Sequence, residues 1–278
     1  MPDSNPSLPA PRVALIGFGE AGETFASAPG WRGEARAWDI VPERRGAMAQ
    51  CGVATGDDPA SALGDRAFVL SLVTADQALP AARDYAPLLP EGTLWCDFNS
   101  VAPDTKREAA RVVEGAGGRS VDVAVMAPVN PARLAVPLLL SGPHALAALP
   151  LLQALGFSNI RNVGDEVGRA SAIKMIRSVM VKGLEALSSE CAAAAEAAGV
   201  FDEVMASLDA SEKHAPWAEK VAYNRERMAT HGARRAAEME ESAKTLQGLG
   251  VEPAMTRGTV RLQREAAEKN KAKKEQAA

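Results

Sequence analysis

A glycine-rich turn near the start of the chain constrains its fold more than any other feature. The apolar run of residues 12–16 leads into six residues with glycine at the first, third and sixth positions, and a helical stretch of small residues follows. These six are Gly17, Phe18, Gly19, Glu20, Ala21 and Gly22. Glycines so spaced between a strand and a helix allow a tight turn, close approach of a ligand to the backbone and close helix packing. The pattern predicts the opening of a βαβ unit.

Residues 12–165 alternate short apolar runs with amphipathic ones. The apolar runs predict strands at 12–16, 34–39, 66–73, 93–97 and 120–125, with two further candidates at the far edge, 137–142 and 158–163. Helices are predicted between them, as at 42–50 and 103–117, where each begins with a proline. Strands without clean alternation of polar and apolar residues are typical of a parallel sheet that is covered on both faces. The expected fold is therefore α/β, a doubly wound Rossmann-type sheet.

The character of the sequence changes for residues 166–278, where no strand is predicted. Apolar residues spaced three or four apart indicate one long helix at 170–198 with a single apolar stripe. The stripe consists of Ile173, Ile176, Met180, Leu184, Leu187 and Cys191. We expect an all-helical C-terminal domain for substrate binding and dimerisation, because the few helices that follow cannot cover this stripe. A homodimer is the expected assembly, and residues 1–11 are expected to form a disordered tail.

Composition excludes several functional classes. The net charge of -4 comes from interspersed charges, which argues against a nucleic-acid partner. No apolar run reaches the roughly 20 residues of a membrane-spanning helix. The N-terminal residues lack the basic start and apolar core of a secretory signal, so we expect a cytoplasmic protein. Three scattered cysteines, with no CxxC pair, indicate neither a structural metal nor a disulfide framework.

The glycine turn predicts a dinucleotide site, with Asp39 as a second element. Asp39 ends the second predicted strand, 20 residues after Gly19, where a carboxylate holds the hydroxyls of the adenosine ribose. A carboxylate repels a 2′-phosphate, so NAD is favoured. Arg44 and Arg45 follow closely and keep NADP possible. The alternative is a tight turn without a ligand and an aspartate that faces solvent.

Three later stretches carry candidate substrate contacts. Asn99 and Ser100 follow the strand at 93–97, and Met126 and Ala127 follow the strand at 120–125, at sheet ends where ligands bind in open α/β folds. Within the latter strand, Asp122 lies too early to reach a substrate. The alternative role for Ser100 is helix capping.

Lys174 lies at the edge of the apolar stripe, with Arg177 and Ser178 within the next turn of the same helix. Desolvation in a cleft disfavours a charged lysine and suits it to proton transfer. The alternative is an ordinary solvated lysine.

The order of four motifs resembles the β-hydroxyacid dehydrogenases, the superfamily of 3-hydroxyisobutyrate dehydrogenase and 6-phosphogluconate dehydrogenase. The motifs are GxGxxG at 17–22, DxNSxxP at 97–103, DxxV at 122–125 and GxxxxxK at 168–174, and the resemblance spans about residues 12–250. It implies a long interdomain helix and oxidation of a 3-hydroxy acid with NAD(P). It further implies that Lys174 is the general base or acid and that Val73 and Thr74 lie beside the nicotinamide, where Asn99 is also expected to contact the cofactor. By the same resemblance, 97–100 and 125–128 hold the substrate carboxylate.

The chain departs from that family at the substrate contacts. Asn99-Ser100 replaces Ser-Thr, Met126-Ala127-Pro128 replaces Ser-Gly-Gly, and Arg177-Ser178 replaces Asn-Asn. The C-terminal domain resembles a variant subgroup of 6-phosphogluconate-dehydrogenase-like proteins. His231 of this domain is a candidate to reach the site, and the alternative is a histidine that faces solvent. We therefore expect an NAD(P)-dependent oxidoreductase that acts on the CH–OH group of a different small hydroxy acid or alcohol. Arg177 is the expected new carboxylate contact, and the alternative is an ion pair on the helix surface.

Three alternative functions remain open. An imine reductase has the same architecture but usually replaces the lysine. A decarboxylating dehydrogenase of phosphorylated sugar acids needs a cluster of basic residues. A non-enzymatic NAD-binding protein needs the glycine turn but not Lys174.

Overall fold

The strands form one sheet in the first half of the chain. The computed structural model describes residues 12–276 except 29, 30, 32 and 212–214, so the predicted tail at 1–11 lies outside the described residues. In chain order the strands are β1 (Val13–Ile16), β2 (Ala35–Trp38), β3 (Ala54–Thr55), β4 (Phe68–Ser71), β5 (Leu94–Asp97), β6 (Arg119–Val125), β7 (Leu138–Ser141) and β8 (Ile160–Asn162). Across the sheet the order is β3-β2-β1-β4-β5-β6-β7-β8.

Helices follow most strands, and helices alone make up the rest of the described chain. Those of the α/β part are α1 (Glu20–Ala26), α2 (Arg44–Gln50), α3 (Pro59–Leu63), α4 (Ala78–Tyr85), α5 (Pro103–Gly115) and α6 (Ala145–Ala154). The later ones are α7 (Arg169–Ala198), α8 (Phe201–Ser211), α9 (Trp217–Gly248) and α10 (Ala254–Gln276). The predicted α/β fold, the long helix and the helical C-terminal region are confirmed. None of the helices in the described ranges is both long and apolar enough to cross a membrane.

The central strands are buried on both faces. In β1, Val13 and Leu15 belong to one hydrophobic cluster, whereas Ala14 and Ile16 belong to a second cluster. Successive side chains of a strand point to opposite faces, so the two clusters lie on opposite sides of the sheet. This two-sided burial explains why the strands lack a polar face in the sequence.

Three details differ from the predictions. β7 pairs antiparallel to β6, because residues 126–137 hold only a 3-10 turn and not the crossover helix that a parallel pair requires. β3 was not predicted, since it has two exposed residues and no apolar run. Pro42 precedes α2 and does not begin it; Pro103 does begin α5.

The chain divides into two compact units, residues 1–177 and residues 178–278, with the division inside α7. The domain boundary predicted at 165/166 stays a prediction. In the second unit, α9 and α10 pack so closely that a Cβ added at Gly232 would lie 2.2 Å from the carbonyl oxygen of Gln263. The Glu190 carboxylate of α7 accepts backbone hydrogen bonds from Met255 and Thr256, at 2.7 and 3.0 Å, where α10 begins.

Candidate active site

The glycine turn has the geometry that a dinucleotide requires. Gly17 has a φ of +89°, and a Cβ there would lie 2.6 Å from the carbonyl oxygen of Leu72. A Cβ at Gly22 would lie 3.0 Å from the carbonyl oxygen of Gly17, so α1 packs tightly on the turn. At Gly19 an added Cβ meets nothing within 4 Å, so this part of the backbone is open to a ligand. The turn therefore fits the pyrophosphate of a dinucleotide.

The other predicted turn residues contribute mainly through the backbone. Glu20 and Ala21 begin α1, and Gly19 precedes them without any side-chain cap. The first N–H groups of a helix have no partner within the helix and attract anions. The Phe18 side chain is fully buried in the core, so its ring faces away from any ligand in the cleft.

Asp39 connects the glycine turn to the end of β2. Its Oδ2 accepts a hydrogen bond from the Phe18 amide at 2.6 Å, and its Oδ1 accepts one from the Val41 amide at 2.8 Å. A carboxylate oxygen has two acceptor positions, so both oxygens retain capacity for ribose hydroxyls. The residue predicted as the ribose ligand thus also holds the turn in place.

A cleft of about 240 Å³ runs from the glycine turn past Asp39 to Val73 and Thr74. Arg44 lines this cleft. The Arg45 guanidinium instead lies 5.7 Å from the centre of the Trp38 ring. The cleft is therefore lined by the carboxylates of Asp39 and Asp84 and by the Arg44 guanidinium. A carboxylate and a guanidinium near the predicted ribose position are compatible with either NAD or NADP.

Asn99 ties together the ends of β4 and β5. Its side-chain oxygen accepts a hydrogen bond from the Val73 amide at 2.7 Å, and its side-chain nitrogen donates to Ser71 Oγ at 3.0 Å. The Asn99 amide donates to Asp97 Oδ1 at 2.9 Å. Asn99 is buried, whereas Thr74 is exposed at the cleft. Asn99 thus fixes the loop that carries Val73.

Four of the predicted substrate residues meet in two pairs. Lys174, in the second turn of α7, donates a hydrogen bond from Nζ to Ser100 Oγ at the carboxyl end of β5. Arg177 Nη1 donates to the Met126 carbonyl oxygen at 3.4 Å, after the end of β6. Lys174 is half-buried, and Ala127 is exposed beside Met126. The first turns of α7 therefore face the carboxyl ends of two neighbouring strands.

Two predicted residues lie in the second unit. Ser178 is half-buried and is the first residue of that unit. His231 is exposed on α9. Their roles in a substrate site stay predictions.

Comparison with known proteins gives the family. Residues 12–164, more than half of the chain, match the NAD binding domain of 6-phosphogluconate dehydrogenase. The chain belongs to this family. Residues 195–266 match a second family, described as a domain of unknown function (DUF1932). The family confirms the predicted NAD-binding Rossmann domain and places the chain among NAD(P)-dependent oxidoreductases.

Solved structures with the same fold cover almost the whole chain. A conserved hypothetical protein from Sinorhizobium meliloti 1021 is 37% identical, with a TM-score of 0.61, over 93% of this chain and 89% of that one. The conserved protein MTH1747, whose structure is described as similar to 3-hydroxyacid dehydrogenases, is 30% identical, with a TM-score of 0.61, over 92% and 97%. An imine reductase from Myxococcus stipitatus in complex with NADP+ is 19% identical, with a TM-score of 0.74, over 93% and 94%. The last similarity concerns the fold alone.

Sequence reasoning missed the part played by Asp122. This residue is fully buried in β6, and its Oδ2 accepts hydrogen bonds from the amides of Gly168 and Ser171, at 3.1 and 3.0 Å. Asp122 does not reach the cleft, as expected, but it binds the start of the helix that carries Lys174. The sequence did indicate such a role, because an aspartate inside an apolar strand is buried and must be paired with hydrogen-bond donors or a cation.

Lys106 completes this buried polar cluster. Its Nζ lies 2.9 Å from Asp97 Oδ1 and also donates to the Asp97 carbonyl oxygen. Asp122 Oδ1 lies 3.4 Å from the same Nζ, an ionic contact without hydrogen-bond geometry. All three side chains are at most 4% exposed. A charged cluster in this position joins the ends of β5 and β6 beneath the candidate site.

Proposed function

We propose that the chain is an NAD(P)-dependent dehydrogenase that oxidises the hydroxyl group of a hydroxy acid or a related alcohol, with Lys174 as general base. The observation that carries the proposal is the hydrogen bond from Lys174 Nζ to Ser100 Oγ. It holds an amine at the carboxyl end of β5, and the neighbouring strand β4 leads into Val73 at the cofactor cleft. Ligands of doubly wound folds bind at this end of the sheet.

Oxidation of an alcohol removes a proton from oxygen and a hydride from carbon. The nicotinamide, when bound, supplies the hydride acceptor. Lys174 in its neutral form takes the hydroxyl proton, and in the reverse direction its ammonium returns that proton to the developing alkoxide. Ser100 Oγ marks a position within hydrogen-bond reach of Nζ, where a substrate hydroxyl would join or replace it. Ser100 therefore orients both the amine and the substrate.

Arg177 is the group best suited to a substrate carboxylate. A guanidinium has five N–H donors, and the contact to the Met126 carbonyl oxygen uses only one of them. Bidentate binding through the remaining donors would compensate for the missing Ser-Gly-Gly loop. The replacement residues Met126-Ala127-Pro128 carry no hydroxyl, so we infer a substrate that is less polar next to its carboxylate. Ser178 and His231 are further candidates for substrate contacts.

We also propose that the working form is a cytoplasmic homodimer. Five large apolar side chains of α7 are at least 43% exposed, namely Ile176, Val179, Met180, Leu184 and Leu187. Four of these residues belong to the apolar stripe of the sequence, and Val179 adds to them. An exposed patch of this kind is typical of an interaction site. A second copy presents the same stripe, so it supplies a matching apolar surface.

Turnover by the purified protein tests the proposed reaction. NAD+ and NADP+ are each offered with 3-hydroxy acids, aldonates and larger hydroxy acids, and NADPH is offered with the cyclic imine 2-methyl-1-pyrroline. Lys174→Ala should lower kcat by about 10²–10⁴-fold. It should leave the Kd for NADH unchanged, and Lys269→Ala, at an exposed lysine of α10, should keep full activity. Turnover of the imine alone would favour an imine reductase. Binding of NADH without any turnover would contradict the proposed reaction.

A further inference from the structure

We propose that Asp122 is a positioning residue for Lys174, although it contacts neither the cleft nor Lys174. Its carboxylate holds the first turn of α7 on the sheet and thereby sets the place of the Lys174 amine beside Ser100. This inference rests on the proposed function of Lys174. The buried cluster itself is independent of any substrate.

The hydrogen bonds of Asp122 end on the beginning of α7. Oδ2 accepts bonds from the amides of Gly168 and Ser171, and a third from Ser141 Oγ at 3.1 Å. Ser141 Oγ in turn accepts a bond from the Ala170 amide at 3.0 Å. The first N–H groups of a helix have no partners within the helix. Asp122 and Ser141 therefore satisfy three amides at the point where α7 meets β6 and β7.

Ser171 connects the same helical turn to the loop that carries Ser100. Its hydroxyl donates to the Val101 carbonyl oxygen, and Val101 is the next residue after Ser100. Lys174 lies one helical turn after Ser171, so its amine and its partner Ser100 both depend on where Ser171 is held. The Asp122–Ser171 bond consequently fixes both ends of the Lys174–Ser100 contact.

The charges of the cluster require an anion at position 122. Lys106 carries one positive charge and faces two carboxylates, Asp97 and Asp122. The cluster keeps one net negative charge next to the helix N-terminus, whose dipole is positive at that end. An asparagine at position 122 can take two orientations. If its side-chain oxygen accepts the Ser171 amide, its NH2 group lies against the Lys106 ammonium. The reverse orientation places the NH2 group against the helix amides. A neutral side chain of the same shape thus fails at one of the two contacts.

Asp122→Asn is compared with Val123→Ala, which removes buried volume from the next residue of β6 without touching α7. Amide hydrogen exchange is measured on peptides from 165–177, and reductive methylation by formaldehyde and cyanoborohydride is followed at Lys174 and at the exposed Lys269. Asp122→Asn should speed amide exchange in these peptides by about tenfold, because the start of the helix opens locally. For the same reason it should speed the methylation of Lys174, relative to that of Lys269, by about threefold. It should lower kcat by about 10- to 100-fold at an unchanged Kd for NADH. Val123→Ala should change only the free energy of unfolding.

Two results would overturn the proposal. Unchanged exchange at 165–177 in Asp122→Asn would mean that the carboxylate does not hold the helix. Faster exchange with unchanged methylation of Lys174 would mean that the helix start is held but that the amine is positioned by other contacts. If the wild-type protein turns over none of the substrates, the proposed reaction fails, but exchange and methylation still decide the role of Asp122.

Discussion

The carboxylate of Asp39 accepts the amide hydrogen of Phe18 at 2.6 Å, across 21 residues of sequence. A side chain at the end of one strand therefore stabilises the ligand-binding turn of another. This contact makes Asp39 a part of the turn, and its predicted role as ribose ligand should respond differently to substitution.

Asp39→Asn should change cofactor preference and preserve the fold. The amide oxygen can still accept the Phe18 amide, while the hydrogen bond from the Val41 amide is given up. The negative charge that repels a 2′-phosphate is lost. We expect the ratio of Kd(NADPH) to Kd(NADH) to fall by about tenfold, the range of one charge-assisted hydrogen bond. Fluorescence titration measures both constants. Arg44→Ala is the opposing control, since it should weaken NADPH more than NADH. An unchanged ratio in Asp39→Asn would argue against a ribose contact.

Gly17→Ala and Gly19→Ala should separate stability from cofactor affinity. At Gly17 a methyl group meets the Leu72 carbonyl in a left-handed backbone conformation, so we expect a loss of about 1–3 kcal/mol in the free energy of unfolding. At Gly19 the methyl group meets no protein atom but enters the space of the pyrophosphate. That variant should keep the wild-type Tm and bind NADH about tenfold more weakly. Thermal unfolding and NADH titration test the pair, and wild-type affinity in Gly19→Ala would contradict the proposed position of the pyrophosphate.

Lys106→Met should be among the most destabilising substitutions in the sheet. It leaves Asp97 and Asp122 buried without their cation. Removal of one partner from a buried ion pair costs about 3–5 kcal/mol, because the remaining charge is uncompensated. Urea denaturation measures the loss, and Asp97→Asn in the same chain should restore part of it. A loss below about 1 kcal/mol would mean that water reaches the cluster.

The helical unit should lose stability in acid, because protonation of Glu190 removes a stabilising contact. Burial raises the pKa of its carboxyl, but hydrogen bonds from the Thr256 side chain and from the amides of Met255 and Thr256 outweigh burial and lower that pKa below its ordinary value of 4.5. The stabilisation is therefore complete above pH 4.5 and is lost as the pH falls through the lowered pKa.

Substitution of Glu190 by Gln tests this dependence. Glu190→Gln should cost about 1 kcal/mol at pH 7, as for the loss of a helix cap. The difference from the wild type should shrink below pH 4.5. Urea denaturation at several pH values gives the difference directly. A difference independent of pH would show that the charge of Glu190 is not responsible.

The proposed dimer depends on the exposed apolar side chains of α7, which include four stripe residues and Val179. Val179 is 76% exposed, so Val179→Lys should leave the protomer fold intact while burying a charge in the interface. Sedimentation at micromolar concentration should give a dimer for the wild type and a monomer for the variant. The exposed Leu262 of α10 provides a control, Leu262→Lys, that should remain dimeric. A wild-type monomer would contradict the proposal.

The parts of the molecule whose structure is set by residues close together in the sequence were predictable. The glycine turn follows from the local needs of a strand, a tight turn and a helix, and the length of α7 follows from apolar residues three or four apart. β3 and the direction of β7 were not predictable in this way. A two-residue exposed strand has no apolar pattern, and strand direction depends on how residues 126–137 return to the sheet.

The candidate site was predictable as a set of residues but not as a set of contacts. Lys174, Ser100, Arg177 and Met126 were all named from the sequence, because each belongs to a motif or follows a predicted strand, and their roles stay predictions. The Lys174–Ser100 contact depends, by our proposal, on Asp122, whose partners Gly168 and Ser171 lie 46 and 49 residues away in sequence. No local pattern indicates which distant amides will satisfy a buried carboxylate.

The Asn99 side chain has a consequence for how the two halves of the site respond to ligands. One amide group binds the Val73 loop on the cofactor side, and the next residue is Ser100 on the substrate side. The two loops are therefore joined by one side-chain hydrogen bond and one peptide bond. If Val73 contacts the cofactor and Ser100 the substrate, as we propose, a shift of one loop pulls on the other through the Asn99 side chain.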